Sequence, residues 1–157
     1  MAPLPVALRK ATTADVKGIH ALLMSGAASG ELLSRSLSQL YTHIRDFYVL
    51  EGDSGDILGC CALSVIWDDV AEVRSLFVGA SLRGQGMGRI LVEAGMDELR
   101  ALGIRRVFTL TYQTDFFHAL GFELAAKESL PQKIWADCFN CPKFPDCDEI
   151  AMDRIIA

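Results

Sequence analysis

No run of apolar residues in this chain approaches the roughly 20 that a helix needs to cross a bilayer. Residues 1–10 carry Pro3 and Pro5 where a secretory leader would hold a long apolar stretch, so a cytoplasmic location is expected and a membrane partner is not. Basic residues are in deficit: 15 Lys and Arg stand against 20 Asp and Glu, a formal charge of -5. A general nucleic-acid binder needs the opposite balance to displace counterions, which excludes that class of partner. The cysteines number five, an odd count, and Cys60 and Cys61 adjoin inside an apolar stretch, so a secreted disulfide framework is not expected. There is no internal repeat and no low-complexity tract.

What is present is the composition of a globular protein, 51% apolar and 22% charged over 157 residues, which suits one core and hence a single domain over 1–157. Thr12 and Asp15 have the spacing of a capping box, and Val16, Ile19, Leu22 and Leu23 follow at helical intervals. Gly26–Gly30 is rich in small residues and predicts a mobile break, before a short helix over Ser36–Ile44. Phe47–Leu50 and Ile57–Ile66 form a hairpin about the Gly52–Asp56 turn, and Val70–Val78 is a third strand. Apolar spacing predicts one long helix from Met87 to Leu102, capped by Gly103. Arg105–Thr111 is a strand, Thr114–Leu120 a short helix stopped by Gly121, and Phe122–Ala125 and Glu149–Ile155 are the last strands.

The chemistry concentrates where strand Val70–Val78 runs through the polar segment Ser81–Gly88 into the long helix. Glycines let a backbone approach a ligand, and the first N–H groups of a helix have no internal partners, so they favour a phosphate. Arg83 and Arg89 add positive charge, which lets an acidic protein hold an anion locally. The loop lacks the Gly-Lys-Ser/Thr ending of a nucleoside-triphosphate loop. It also follows three strands, where a dinucleotide fingerprint opens the first βαβ unit.

Arg83-x-x-Gly86-x-Gly88 after a strand resembles the Gln/Arg-x-x-Gly-x-Gly/Ala motif of the GNAT superfamily of N-acetyltransferases, and Phe117-His118-Ala119-Leu120-Gly121-Phe122 resembles its later signature. Further segments are similar to amino-acid N-acetyltransferases of the short, single-domain N-acetylglutamate synthase kind: Leu33-Ser34-Arg35-Ser36, Ile44-Arg45-Asp46-Phe47, Ala71-Glu72-Val73-Arg74-Ser75-Leu76, Leu110-Thr111-Tyr112 and Leu130-Pro131-Gln132-Lys133-Ile134-Trp135. The family usually has Pro where Ser34 stands. The resemblance implies an α/β (α+β) fold: a mixed, mostly antiparallel twisted sheet of six to seven strands flanked by about four helices. It implies acetyl-CoA as cosubstrate, lined by Leu76, Phe77, Val78, Arg83, Gly84, Gln85, Gly86, Met87, Gly88, Arg89 and Phe117. It also implies acetyl transfer to the α-amino group of L-glutamate, the first step toward arginine, possible as a homodimer.

The residues agree with an acidic acceptor. Alternate strand residues share a face, so Glu72 and Arg74 project together, a base beside a carboxylate clamp. Arg74, Arg35 and Lys133 are the candidates for holding glutamate's carboxylates, with Arg45 a weaker fourth. An ammonium cannot attack a thioester, and Glu72 is the candidate that removes its proton. The resemblance suggests a backbone N–H near Leu76 or Phe77 for the developing oxyanion. The superfamily often has Tyr where this chain has Phe117; Tyr112 or water is the substitute acid. Three alternatives stand beside this reading: Glu72 and Arg74 as a surface ion pair, an acceptor that is another amine or a protein N-terminus, and a non-catalytic acyl-CoA sensor. Cys138-x-x-Cys141 with Cys147 offers three zinc ligands without a fourth, so buried or oxidisable thiols are favoured over a metal.

Overall fold

The computed structural model describes residues 6–28, 35–131 and 149–156. Its strands are β1 (Val6–Lys10), β2 (Phe47–Gly52), β3 (Ile57–Val65), β4 (Val70–Val78), β5 (Arg106–Thr111), β6 (Glu123–Leu124) and β7 (Ile150–Ile155). Its α-helices are α1 (Val16–Ala28), α2 (Leu37–Thr42), α3 (Met87–Ala94), α4 (Met96–Ala101) and α5 (Thr114–Ala119). The strands hydrogen-bond in the order β1-β2-β3-β4-β5-β7-β6. Strands β4 and β5 run parallel, while β1–β2, β2–β3, β5–β7 and β6–β7 are antiparallel. This is the mixed, mostly antiparallel α/β architecture that the sequence predicts.

The chain divides into two compact units, Met1–Ser64 with Val73–Met96, and Val65–Glu72 with Asp97–Ala157. In the first, Val16, Ile19, Leu23, Leu40, Phe47, Val49, Cys60 and Phe77 form the core, so the apolar stripe of α1 packs where its spacing predicts. The Thr12 capping box forms, the Asp15 carboxylate accepting the Thr12 N–H at 2.7 Å. Its other role was not legible: Arg9 of β1 donates to both Asp15 oxygens, at 2.7 and 2.8 Å, and to Glu51 at 3.1 Å. This fork holds the Asp15 carboxyl down at about 2. Ser36 caps α2 reciprocally with Gln39, each side chain accepting the other's backbone N–H at 3.1 Å.

In the second unit Val70, Phe108, Leu130 and Ala151 are buried together. Gly103 and Gly121, at φ 94 and 87, end their helices in Schellman geometry: Ile104 N–H reaches Leu99 O at 2.9 Å, and Phe122 N–H reaches Phe117 O at 3.0 Å.

Several boundaries differ from the sequence reading. Strand β1 was not predicted; it pairs Val6–Lys10 with Gly52–Tyr48. Helix α1 runs through Gly26, which is buried, to Ala28, so packing overrides the low helix propensity of that stretch. The predicted Ser36–Ile44 helix is α2 followed by a 3-10 turn over Ile44–Asp46. The predicted Met87–Leu102 helix breaks at Gly95, which separates α3 from α4. A Cβ there would collide with Leu63 Cδ1 and lie 2.8 Å from Tyr48 Cε2, so the chain passes β2 and β3 at a distance only glycine allows.

Candidate active site

The loop after β4 begins with the Gly79 N–H donating to Leu58 O at 2.7 Å, then a 3-10 turn over Ala80–Leu82 that Leu82 anchors by burial. Gly84 and Gly86 follow at φ 78 and 76, and Gly86 is the N-cap of α3. A Cβ built on either meets nothing within 4 Å. The glycines therefore serve the backbone's left-handed turns and leave the approach to the helix N-terminus open. The first N–H groups of α3 lie beyond intrahelical partners and carry the positive end of the helix dipole. Arg89 is exposed, and so is Arg83, which folds back: its Nε donates to Val78 O at 3.1 Å and its guanidinium lies 5.1 Å from the Phe77 ring. Gln85 Nε2 donates to Ser81 O at 3.1 Å, tightening the loop, while Met87 and Gly88 are half-buried. Open glycine backbone, a helix N-terminus and guanidinium groups make a donor set that suits a pyrophosphate.

Within β4, Ser75 stands in the left-handed region at φ 53, among the described residues the one non-glycine with positive φ. In a strand such a residue costs on the order of 1 kcal/mol, so its surroundings must impose it. Two side chains do. Arg35, itself buried, donates from Nη1 to the Ser75 hydroxyl at 3.2 Å and stacks 5.5 Å over Phe47. The Cys60 thiol donates to Ser75 O at 3.3 Å, and its sulfur accepts the Phe77 backbone N–H. Burial pushes the Cys60 thiol up to about 12, so it stays protonated and remains a donor. Cys60 thus clasps the strand on both sides of Leu76. Nothing in an apolar β-like run signalled this kink, and neither Ser75 nor Cys60 was a predicted site residue.

The structure brings Arg35 to Ser75, in the middle of β4. Glu72 is buried and Arg74 half-buried, two positions apart on β4 ahead of the kink. Of the two N–H groups considered for an oxyanion, that of Phe77 faces Cys60; Leu76 and Val78 are half-buried. Arg45 is exposed in the turn before β2. In the second unit, Tyr112 follows β5 and is 38% exposed. Phe117 on α5 is buried, edge-to-face with Phe116 at 5.0 Å and Phe122 at 5.2 Å; what it offers is packing. Thr111, which was not a predicted site residue, ends β5 buried and accepts the Gln113 N–H at 2.8 Å. Lys133, Cys138, Cys141 and Cys147 lie outside the described residues. Among the described residues no group of three His, Cys, Asp or Glu could hold a metal, and no helix is long and apolar enough to cross a membrane.

Residues 23–122, spanning α1 through the turn after α5, match the acetyltransferase (GNAT) family. The chain belongs to that family. It is therefore an acyltransferase of the N-acetyltransferase kind. It is 42% identical to an uncharacterized N-acetyltransferase of Chlorobaculum tepidum, over 95% of this chain and 96% of that protein. It is 37% identical to an amino-acid acetyltransferase of Mycobacterium tuberculosis, over 73% of this chain and 67% of that one. Its fold is similar to that of N-acetylglutamate synthase from Neisseria gonorrhoeae, solved with coenzyme A and N-acetyl-glutamate, at TM-score 0.86 and 30% identity. That likeness covers 99% of this chain but 36% of the synthase, so this GNAT chain spans about a third of the solved protein's length.

Proposed function

We propose that this chain transfers the acetyl group of acetyl-CoA to the α-amino group of L-glutamate, as a cytoplasmic enzyme with one acetyltransferase domain over 1–157. The observation that carries the reading is the loop at Gly84 and Gly86, whose open, left-handed backbone leads into the N-terminus of α3. Such a nest favours the pyrophosphate of coenzyme A. Arg83, Gln85, Met87, Gly88 and Arg89 complete it, and Leu76, Phe77 and Val78 present strand backbone to the rest of the coenzyme.

The thioester supplies the acetyl carbon, and this chain's residues supply the proton chemistry and the aim. Glu72 takes a proton from the substrate ammonium, directly or through water, so that the free amine attacks. The Leu76 N–H is the donor for the charge that gathers on the acetyl oxygen. Arg35 and Arg74, with Lys133, hold the two carboxylates; bidentate guanidinium pairs favour glutamate over acceptors with one carboxylate. Tyr112 or water returns a proton to the departing thiolate. The solved Neisseria synthase with N-acetyl-glutamate and the amino-acid acetyltransferase relatives support this acceptor. The place of the reaction would be the first step of arginine biosynthesis.

The test measures coenzyme A release with glutamate, glutamine, aspartate and ornithine side by side, and repeats it with Arg74→Ala. Glutamate should lead, and the substitution should cost glutamate turnover far more than turnover of a peptide amine. Equal losses on both, or release with no amine at all, would sink the reading.

A further inference from the structure

We infer that Ser75 is a positioning residue that fixes acceptor specificity by holding the Arg35 guanidinium against β4. The inference rests on the proposed reading of Arg35 as a carboxylate clamp. A long arginine side chain has many rotamers, and a clamp useful for discrimination must have one. Here Nη1 is tied to the Ser75 hydroxyl at 3.2 Å and the guanidinium face rests 5.5 Å over Phe47, so its plane is set from two directions. The hydroxyl that meets Arg35 belongs to a residue that leaves the extended conformation, at φ 53. That departure is in turn secured by Cys60, which donates to the Ser75 carbonyl and accepts from Phe77. One residue therefore joins two functions. Its backbone shapes the strand that would face the acetyl donor, and its hydroxyl orients the cation that would grip the acceptor.

Ser75→Ala removes the hydroxyl and keeps the Cβ. Ser75→Gly also removes the hydroxyl but relieves the left-handed strain, so it is the variant most certain to stay folded. Because a hydrogen bond to a charged group is lost in both, each should raise the glutamate KM about tenfold while the acetyl-CoA KM stays within about twofold. Calorimetric titration with glutamate in the presence of coenzyme A should weaken by the same factor. A residue that merely supports the fold would instead lower thermal stability in Ser75→Ala, recover in Ser75→Gly, and leave the KM values unsplit. Arg35→Ala, run alongside, separates the two ideas. If it raises the glutamate KM while both Ser75 variants behave like the unsubstituted protein, the positioning role is overturned and the proposed function stands. If Arg35→Ala leaves the glutamate KM unchanged, or the unsubstituted protein does not turn over glutamate, the clamp reading fails and the inference falls with it.

Discussion

The loop at Gly84 and Gly86 and the kink at Ser75 reach the same left-handed backbone region by opposite means. In the loop, φ values of 78 and 76 fall on glycines that nothing crowds, so the conformation is written into the residues themselves. In β4, a φ of 53 falls on a serine that would not choose it, and Arg35 and Cys60 impose it from other elements. A locally coded turn should break when its own residue changes. A tertiary turn should break when its neighbours change.

The largest expected effect tests whether the strand side carries the chemistry and the loop side the coenzyme. Glu72→Gln should lower kcat by about a hundredfold to a thousandfold with the acetyl-CoA KM unchanged, because it removes the proposed base and leaves the loop intact. Steady-state kinetics checks this, and a loss confined to the acetyl-CoA KM would break the division. Next in size, Gly86→Ala should raise the acetyl-CoA KM by roughly ten- to thirtyfold through left-handed strain and a methyl group in the approach to α3. The glutamate KM should hold, and an equal rise in both would erase the contrast between the regions.

Asp15 sharpens the same contrast away from the site. Its cap with Thr12 is local, whereas the Arg9 fork comes from a strand the sequence did not reveal. The fork depresses the folded carboxyl from 3.8 to about 2, so its stabilisation is complete above the unfolded value and is lost as pH falls toward 2. Asp15→Asn should therefore cost about 2 kcal/mol at neutral pH, with the two urea-unfolding curves converging near pH 2. Curves that stay parallel through that window would place the stabilisation elsewhere.

What the sequence discloses follows this division between local and tertiary control. The Thr12 cap, the Gly103 and Gly121 helix ends, the hairpin about residues 52–56 and the glycine loop were legible, since each is a short-range arrangement with its own residue signature. Strand β1 was not, because Val6–Lys10 is short, half exposed and preceded by prolines, and it exists through pairing with β2. The break at Gly95 was not either: the apolar spacing continues through it, and only the nearness of Leu63 and Tyr48 excludes a side chain. Glu72, Arg74 and the loop stand out through local pattern and family likeness. Ser75 and Cys60 look like ordinary strand residues until Arg35 is brought beside them.

Cys60 supplies the smallest and most pointed test. Cys60→Ala leaves the Ser75 carbonyl and the Phe77 N–H without this partner, and should destabilise the protein by about 1–2 kcal/mol in urea unfolding. Cys60→Ser keeps a donor and an acceptor at the same place, so it should recover most of that loss and remain within about 1 kcal/mol of the unsubstituted protein. If packing volume were all that Cys60 contributed, serine would fare no better than alanine, because a hydroxyl buried without partners carries a desolvation cost that its one extra atom does not offset. The order of the two variants therefore reads directly whether the strand kink is held by hydrogen bonds from β3 or by contact alone.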